Sequence, residues 1–299
     1  MPELPEVETV RRGLDRLVVG RRVGRVEVGR ERVVRRTSPE ALIHGLTGTT
    51  ILAANRRGKY LLLPLDSGDE LMVHLRMSGQ LLVARAGTPR PAHTHVVMHL
   101  DPAGEQPGVG RGKQRGGQPG DQPGDEVWFV DPRTFGEVVV FDPGNVAVEL
   151  PELAAMGPDP ISEGLSLAQL RGIVRSRSRQ LKPMLLDQHV IAGIGNIYAD
   201  EILHRARLRP GRLSDSLSPA AERRLHSAIH EILGEAIMAG GSTLGDAQYL
   251  DLFGDNGSYQ DDHKVYGRGG ERCLTCATSW LRTTQYAQRT TVYCANCQR

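Results

Sequence analysis

The chain has 299 residues, 39% hydrophobic and 24% charged, with 37 Lys and Arg against 35 Asp and Glu for a formal net charge of +2. That length is about twice an ordinary domain and the composition is that of packed globular units, which excludes a peptide-sized or wholly disordered chain. No apolar run reaches the roughly 18 residues of a membrane span, and residues 1–8 carry Glu3, Glu6 and Glu8 where a secretory leader would be basic and then apolar, so the expectation is a cytoplasmic protein with no membrane partner.

In chain order, Pro5 and Glu6 sit where a helix start favours proline and acids, and Val7, Val10, Leu14 and Leu17 recur at helical spacing, so a helix is expected almost from residue 1. Residues 11–36 then hold ten Arg against Asp15, Glu27 and Glu31, a local basic excess that keeps polyanion binding open despite the near-neutral total. Short β-branched runs at 25–28, 60–65, 70–75, 95–100, 127–130 and 137–141, separated by Gly, Pro and Asp, predict an antiparallel β domain. Residues 103–125 form a Gly/Pro/Gln tract with almost nothing apolar, read as a disordered insertion.

Helical patterns follow at 167–175, 182–188, 196–208 and 218–238, the last opened by Ser218 and Pro219 and closed by Gly240-Gly241. Arg175, Arg177 and Arg179, leading to Lys182, read as a phosphate-facing stripe. Gly193-Ile-Gly195-Asn196 predicts a tight turn into a helix start, where free amides attract phosphate; close helix–turn–helix packing explains the two glycines equally well. All four cysteines lie near the end, as Cys273-x2-Cys276 and Cys294-x2-Cys297 with 17 residues between the pairs. In a Thr-, Tyr- and Arg-rich segment that reads as a β-hairpin, this spacing points to one tetrahedral Zn²⁺ rather than a redox pair, and four thiolates leave no position for a catalytic water. His93-x-His95 with His99 carries little weight as a second metal site.

Six blocks in order along the chain carry a resemblance: Met1-Pro-Glu-Leu-Pro-Glu-Val-Glu-Thr-Val-Arg-Arg-Gly-Leu14, Arg57-Gly-Lys59-Tyr-Leu-Leu-Leu, His74-Leu-Arg-Met77-Ser-Gly, Asp131-Pro-Arg133-Thr-Phe135-Gly, Gly193-Ile-Gly-Asn196-Ile-Tyr-Ala and Val265-Tyr-Gly-Arg-Gly-Gly-Glu. Together they resemble the bacterial formamidopyrimidine-DNA glycosylases. The resemblance implies an α+β protein: an N-terminal helix with a β-sandwich over 1–145, a helix-two-turn-helix unit over 146–250, and a base-capping loop with a zinc-finger hairpin over 251–299. It implies damaged double-stranded DNA as the partner, a monomer, one structural Zn²⁺, and a location on the bacterial nucleoid.

The resemblance also gives the residues roles. Pro2, freed by removal of Met1, is a secondary amine that attacks C1′ of the damaged nucleotide; an α-amino group titrates near about 7.7–8.0 against about 10.4 for lysine, so far more of it is nucleophilic at neutral pH. Glu3 handles protons at the sugar or departing base, and Glu6 is a supporting carboxylate that orients the amine or a water. Lys59, one of only four lysines with Lys113, Lys182 and Lys264, contacts phosphate and donates a proton in β-elimination. Arg289 grips the phosphates flanking the lesion and serves δ-elimination. Met77 fills the vacancy left by the flipped base, Phe135 inserts beside the orphaned partner base, and Arg133 hydrogen-bonds to it. His74, His93, Asn196 and Arg177 contact DNA, and the segment 243–263 caps the everted base. Two departures from the family pattern are visible: the gap between the cysteine pairs is one residue longer than usual, and Ala277 stands where a Gly commonly follows the second Cys. The rivals are an endonuclease VIII-like glycosylase for oxidised pyrimidines, which Leu4 and the Arg133-x-Phe135 pair argue against, and a non-catalytic zinc-ribbon DNA-binding protein in which Pro2 does nothing.

Overall fold

The helical spacing at the N-terminus is realised as α1 (Leu4–Leu17) in a computed structural model that describes residues 1–102, 124–245 and 249–299. Val7, Val10, Leu14 and Leu17 are buried against the sheets that follow, at roughly 1.5–3 kcal/mol per side chain. Leu4, at the other end of the helix, belongs to the core of the helical half. The first helix is therefore pinned between both halves of the molecule, which fixes the residues before it.

Eight strands follow: β1 (Val23–Val28), β2 (Asn55–Arg57), β3 (Tyr60–Pro64), β4 (Glu70–His74), β5 (Gln80–Ala84), β6 (Thr94–Leu100), β7 (Glu126–Val130) and β8 (Glu137–Phe141). They form two antiparallel four-stranded sheets, ordered β1-β6-β7-β5 and β2-β3-β4-β8. Period-two alternation builds the core between them, with Val26, Val96, Met98, Val127 and Phe129 from one sheet meeting Leu61, Leu63, Leu71, Val73 and Val138 from the other. Two strands and a helix add to the sequence expectation. β2 is Asn-Arg-Arg, with no apolar alternation to betray it, and its pairing is set by the turn at Gly58 (φ 58°). β5 alternates only weakly. Helix α2 (Pro39–Leu46) is capped by the Ser38 side chain, which accepts from the Ala41 amide. Of the insertion expected over 103–125, residues 103–123 lie outside the described residues; its last two are ordered instead, the Gly124 carbonyl accepting from Arg21 and the Asp125 carbonyl from the Leu100 amide, both at 2.8 Å, because they lead directly into β7.

The outer face of the second sheet is covered too. Tyr60, Met72, Val139 and Phe141 pack with Leu150, Leu153 and Met156 in and around two short turns, α3 (Val146–Glu149) and α4 (Pro151–Ala154), and with Ala192. This contact brings the 191–196 loop of the helical half against the β2–β3 turn. The helical half comprises α5 (Leu167–Ser176), α6 (Leu181–Leu186), α7 (Asn196–Arg205) and α8 (Pro219–Met238) around one core. Helices α6 and α7 end two and three residues earlier than the sequence pattern suggests. Ser218 caps α8 by accepting from the Ala221 amide, and Gly240 and Gly241, both at positive φ, end it. The C-terminal hairpin pairs β9 (Leu281–Tyr286) with β10 (Arg289–Cys294) across Ala287 and Gln288, whose φ values of 46° and 57° are those of a two-residue turn that matches strand twist. No helix among the described residues is long and apolar enough to cross a membrane.

Candidate active site

The start of α7 is filled by protein. The Glu3 carboxylate accepts from the Gly195 amide at 2.8 Å and the Ile197 amide at 2.9 Å, with the Tyr198 amide at 3.4 Å, so the amides that the sequence offers to phosphate are taken by an internal anion. The glycines make this possible. A Cβ on Gly195 would lie 2.3 Å from the Glu3 carboxyl carbon, and one on Gly193 (φ 89°) would lie 2.5 Å from Leu4. The Leu4 amide also donates to the Gly193 carbonyl at 3.0 Å, locking residues 3 and 4 to the loop. Pro2 is buried directly before Glu3, while Met1 is 41% exposed.

Lys59 enters from the β2–β3 turn and donates to the Ile194 carbonyl at 3.1 Å on the same loop. Burial pulls its ammonium below the usual lysine range; Glu3 and Glu6 oppose that shift, and the Arg289 guanidinium adds to it. The exposed Arg289 at the tip of the C-terminal hairpin therefore lies within electrostatic reach of Lys59. The neighbouring arginines differ from Lys59 in kind. Arg56 is buried in an ion pair with Glu8 (3.0 Å) and Asp159 (2.5 Å), and Arg57 reaches Glu163 at 3.3 Å, so this basic cluster is mainly a structural joint.

His74 is buried at the end of β4, stacked edge-on against Tyr60, and its Nδ1 accepts from the Arg76 amide at 2.9 Å. Burial first, then Arg76 and Lys59, hold it well below the usual histidine range, so the neutral ring carries its proton on Nε2 as a donor. Glu6 is 1% exposed and accepts from the Glu3 amide, the Ser242 amide (both 2.7 Å) and the Tyr198 hydroxyl. Burial and the charge of Glu3 push its carboxyl up to about 7.

Two exposed turns flank this centre. Met77 is half-buried beside Arg76 (φ 53°); Arg133 and Phe135 are exposed on either side of Thr134 (φ 53°), with the guanidinium 4.9 Å from the ring centroid. Buried Asp131 holds both turns, accepting from the Ser78 hydroxyl (2.6 Å), the Arg133 amide (3.1 Å) and the Gly136 amide (2.7 Å). His93 is exposed at φ 66°, whereas His95 bonds to the Asp131 carbonyl at 2.9 Å and His99 bridges Glu27 and Glu126. Among the described residues, the three histidines belong to no group of potential metal ligands.

The arginine stripe is mostly paired. Arg175 and Arg171 hold Glu222, Arg179 holds Asp187, and buried Lys182 holds Asp200 at 2.5 Å; within this stripe only Arg177 is exposed with no carboxylate partner among the described residues. Asn196 donates from Nδ2 to the Thr290 carbonyl at 3.0 Å, tying α7 to the hairpin, and its Oδ1 is buried without a partner.

The family model described as the formamidopyrimidine-DNA glycosylase N-terminal domain matches residues 1–138, and the one described as the formamidopyrimidine-DNA glycosylase H2TH domain matches 156–248. The chain belongs to the formamidopyrimidine-DNA glycosylase family. A formamidopyrimidine-DNA glycosylase of Roseiflexus sp. (strain RS-1) is 41% identical over 301 residues, covering 100% of both chains. Among solved structures, the MutM (Fpg) protein from Thermus thermophilus is 37% identical with a TM-score of 0.82, the match covering 99% of this chain and 98% of that one. MutM in complex with carbocyclic 8-oxo-G containing DNA is 33% identical with a TM-score of 0.83, covering 100% of both chains.

In this glycosylase-family chain the four Cys Sγ atoms lie within 4.8 Å of one another, with 3.8 Å for both Cys273–Cys297 and Cys276–Cys294. That is far beyond a disulfide bond of about 2.05 Å and equals the edge of a tetrahedron with metal–sulfur bonds of about 2.3 Å. The donor set fits one metal ion. Motif reading missed Gln188, which accepts from the Gly193 amide (2.9 Å) and donates to the Ile194 carbonyl (2.8 Å), and it missed Asp131 as the clamp of the two turns. Gln188 bonds a loop five and six residues further on with no periodic pattern to mark it, and the reach of Asp131 to the Ser78 hydroxyl, 53 residues away in sequence, exists only in the fold.

Proposed function

We propose that this protein is a bifunctional DNA glycosylase and AP lyase of base excision repair, removing oxidised purines, chiefly 8-oxoguanine and formamidopyrimidines, through a Schiff base on Pro2. The observation that carries the reading is the Glu3 carboxylate seated in the α7 amides immediately after Pro2, with Lys59 bound to the same loop. Removal of exposed Met1 uncovers the Pro2 nitrogen at the edge of this cluster. Its lone pair forms a bond to C1′ as the base departs with the glycosidic electrons. The amine then sheds its proton, the C1′–O4′ bond opens with O4′ taking a proton, and the iminium left at C1′ acidifies the C2′ proton; loss of that proton expels the 3′ phosphate, and a second elimination expels the 5′ phosphate. In this reading Glu3 handles protons at the sugar, and Glu6, which accepts from the residue 3 amide, supports the amine's orientation. Lys59, its ammonium made more acidic by burial, is suited to give up a proton during β-elimination, with Arg289 on the flanking phosphates for δ-elimination.

Flipping the base costs a few kcal/mol of unstacking, which Met77, Phe135 and Arg133 offset by occupying the vacancy and engaging the partner base. His74, His93, Asn196 and Arg177 contact phosphate. Cys273, Cys276, Cys294 and Cys297 would hold one structural Zn²⁺, which supplies folding free energy to the hairpin rather than chemistry at the lesion. The working division is 1–145, 146–250 and 251–299, and a single chain acts on DNA in the cytoplasm, at the nucleoid. Borohydride trapping on an 8-oxoguanine duplex tests the reading: a covalent adduct mapped by mass spectrometry to residue 2 is expected, and none when Met1 is retained. An adduct at another side chain, or full activity with Met1 attached, overturns it.

A further inference from the structure

His263 is a buried histidine that this mechanism leaves unused. It is 6% exposed, and its ring stands edge-on to both Tyr259 and Tyr266, with centroids 5.7 and 5.5 Å away. Its Nε2 lies 3.1 Å from the Ser242 hydroxyl. Burial holds the imidazole below its ordinary range against the opposing charges of Glu201, Asp261 and Asp262, so the ring is neutral at physiological pH. From Ser242 the series runs inward. The Ser242 amide donates to one Glu6 oxygen at 2.7 Å, the Ser242 hydroxyl lies 3.3 Å from the Tyr198 hydroxyl that donates to that same oxygen, and the other Glu6 oxygen accepts from the Glu3 amide at 2.7 Å.

There is no slack in the series. Gly241 (φ 81°) packs so closely that a Cβ there would lie 2.6 Å from the Glu6 carboxylate, and the Tyr249 hydroxyl reaches the Glu6 carbonyl at 3.4 Å and the Gly240 carbonyl at 3.0 Å. The amide at the end of the series belongs to the peptide bond that Pro2 makes with Glu3. A side chain 261 positions along the chain is thereby connected to the orientation of residue 2 through hydrogen bonds between buried groups, where each partner has few alternatives.

We propose that His263 is a positioning residue for the Pro2 amine, acting through Ser242 and Glu6 on the peptide between Pro2 and Glu3. The inference rests on Pro2 being the nucleophile. In single-turnover borohydride trapping with zinc-loaded full-length protein, His263→Leu is expected to slow adduct formation about tenfold while the Kd for the lesion duplex stays within about twofold, and His263→Gln, which can still donate to the Ser242 hydroxyl, is expected to recover most of the rate. Ser242→Ala supplies the second arm: once the hydroxyl is gone, His263→Leu is expected to have no further effect. Full additivity of the two substitutions, a trapping rate unchanged in His263→Leu, or parallel losses of rate and affinity overturn the inference. Absence of trapping in the unsubstituted protein would instead overturn the functional reading itself, so the two failures are distinguishable.

Discussion

Around Glu3, carboxylate oxygens already have backbone donors before any DNA arrives, and the glycines at 193 and 195 have no room for a side chain. The turns carrying Met77, Arg133 and Phe135 are the opposite. They leave an aromatic ring 36% exposed, hold Arg76 and Thr134 at positive φ, and depend on one buried carboxylate, Asp131, for their shape. Under the proposed function, the first region is organised in advance for charge that develops during reaction, where fixed dipoles need no rearrangement. The second holds apolar surface and backbone strain that only a partner can make use of. Stability and activity should therefore fall together in the first region and separately in the second.

The largest effect is expected at Gly195. In Gly195→Ala the new Cβ meets the Glu3 carboxyl carbon at 2.3 Å, so either the loop or the carboxylate must move. Excision should drop by at least about 100-fold and stability by about 2 kcal/mol, read by single-turnover kinetics and urea unfolding. Loss of one without the other would break the comparison. A smaller, separated effect is expected at Phe135. Phe135→Ala removes an exposed ring, so the unfolding midpoint should shift by no more than about 0.5 kcal/mol, while excision slows about tenfold because a wedge against restacking is missing. A stability loss of about 3–5 kcal/mol, the size of a core Phe truncation, would place the ring in the fold rather than at the substrate.

How much of this was legible in the sequence depended on whether the signal was local. The period of Val7, Val10, Leu14 and Leu17, the short apolar runs of β3 and β4, the cap at Ser218 and the cysteine spacing are short-range patterns, and each foretold its element. Pairing of charges was not legible. Arg175, Arg179 and Lys182 looked like a stripe for phosphate because Glu222, Asp187 and Asp200 lie on other elements, and only the fold brings them within ion-pair reach. The same holds for the seat of Glu3, whose partner amides lie 192 residues away in sequence and more. The two glycines there could be read as facing phosphate or as packing; the structure shows packing, against an internal anion.

The hairpin lets the comparison be sharpened at its smallest scale. Ala277, at the position where the family pattern favours glycine, has φ 54°, and its amide donates to the Cys273 carbonyl at 2.9 Å. The knuckle thus needs the left-handed conformation in order to turn the chain around the cysteines, and a Cβ there costs about 1–2 kcal/mol of local strain. Ala277→Gly relieves that strain but gives the unfolded chain more freedom, about 0.4–1 kcal/mol in the other direction. The net expectation is a finger more stable by about 0.5 kcal/mol, equivalent to a roughly twofold slower loss of bound zinc to a chelator, with excision unchanged. This strain differs from that at Thr134, whose turn carries the proposed wedge residues Arg133 and Phe135. Relieving it should improve retention of the metal at no loss of rate, and faster zinc release in the glycine variant would show that the left-handed turn is held by contacts that the alanine methyl itself supplies.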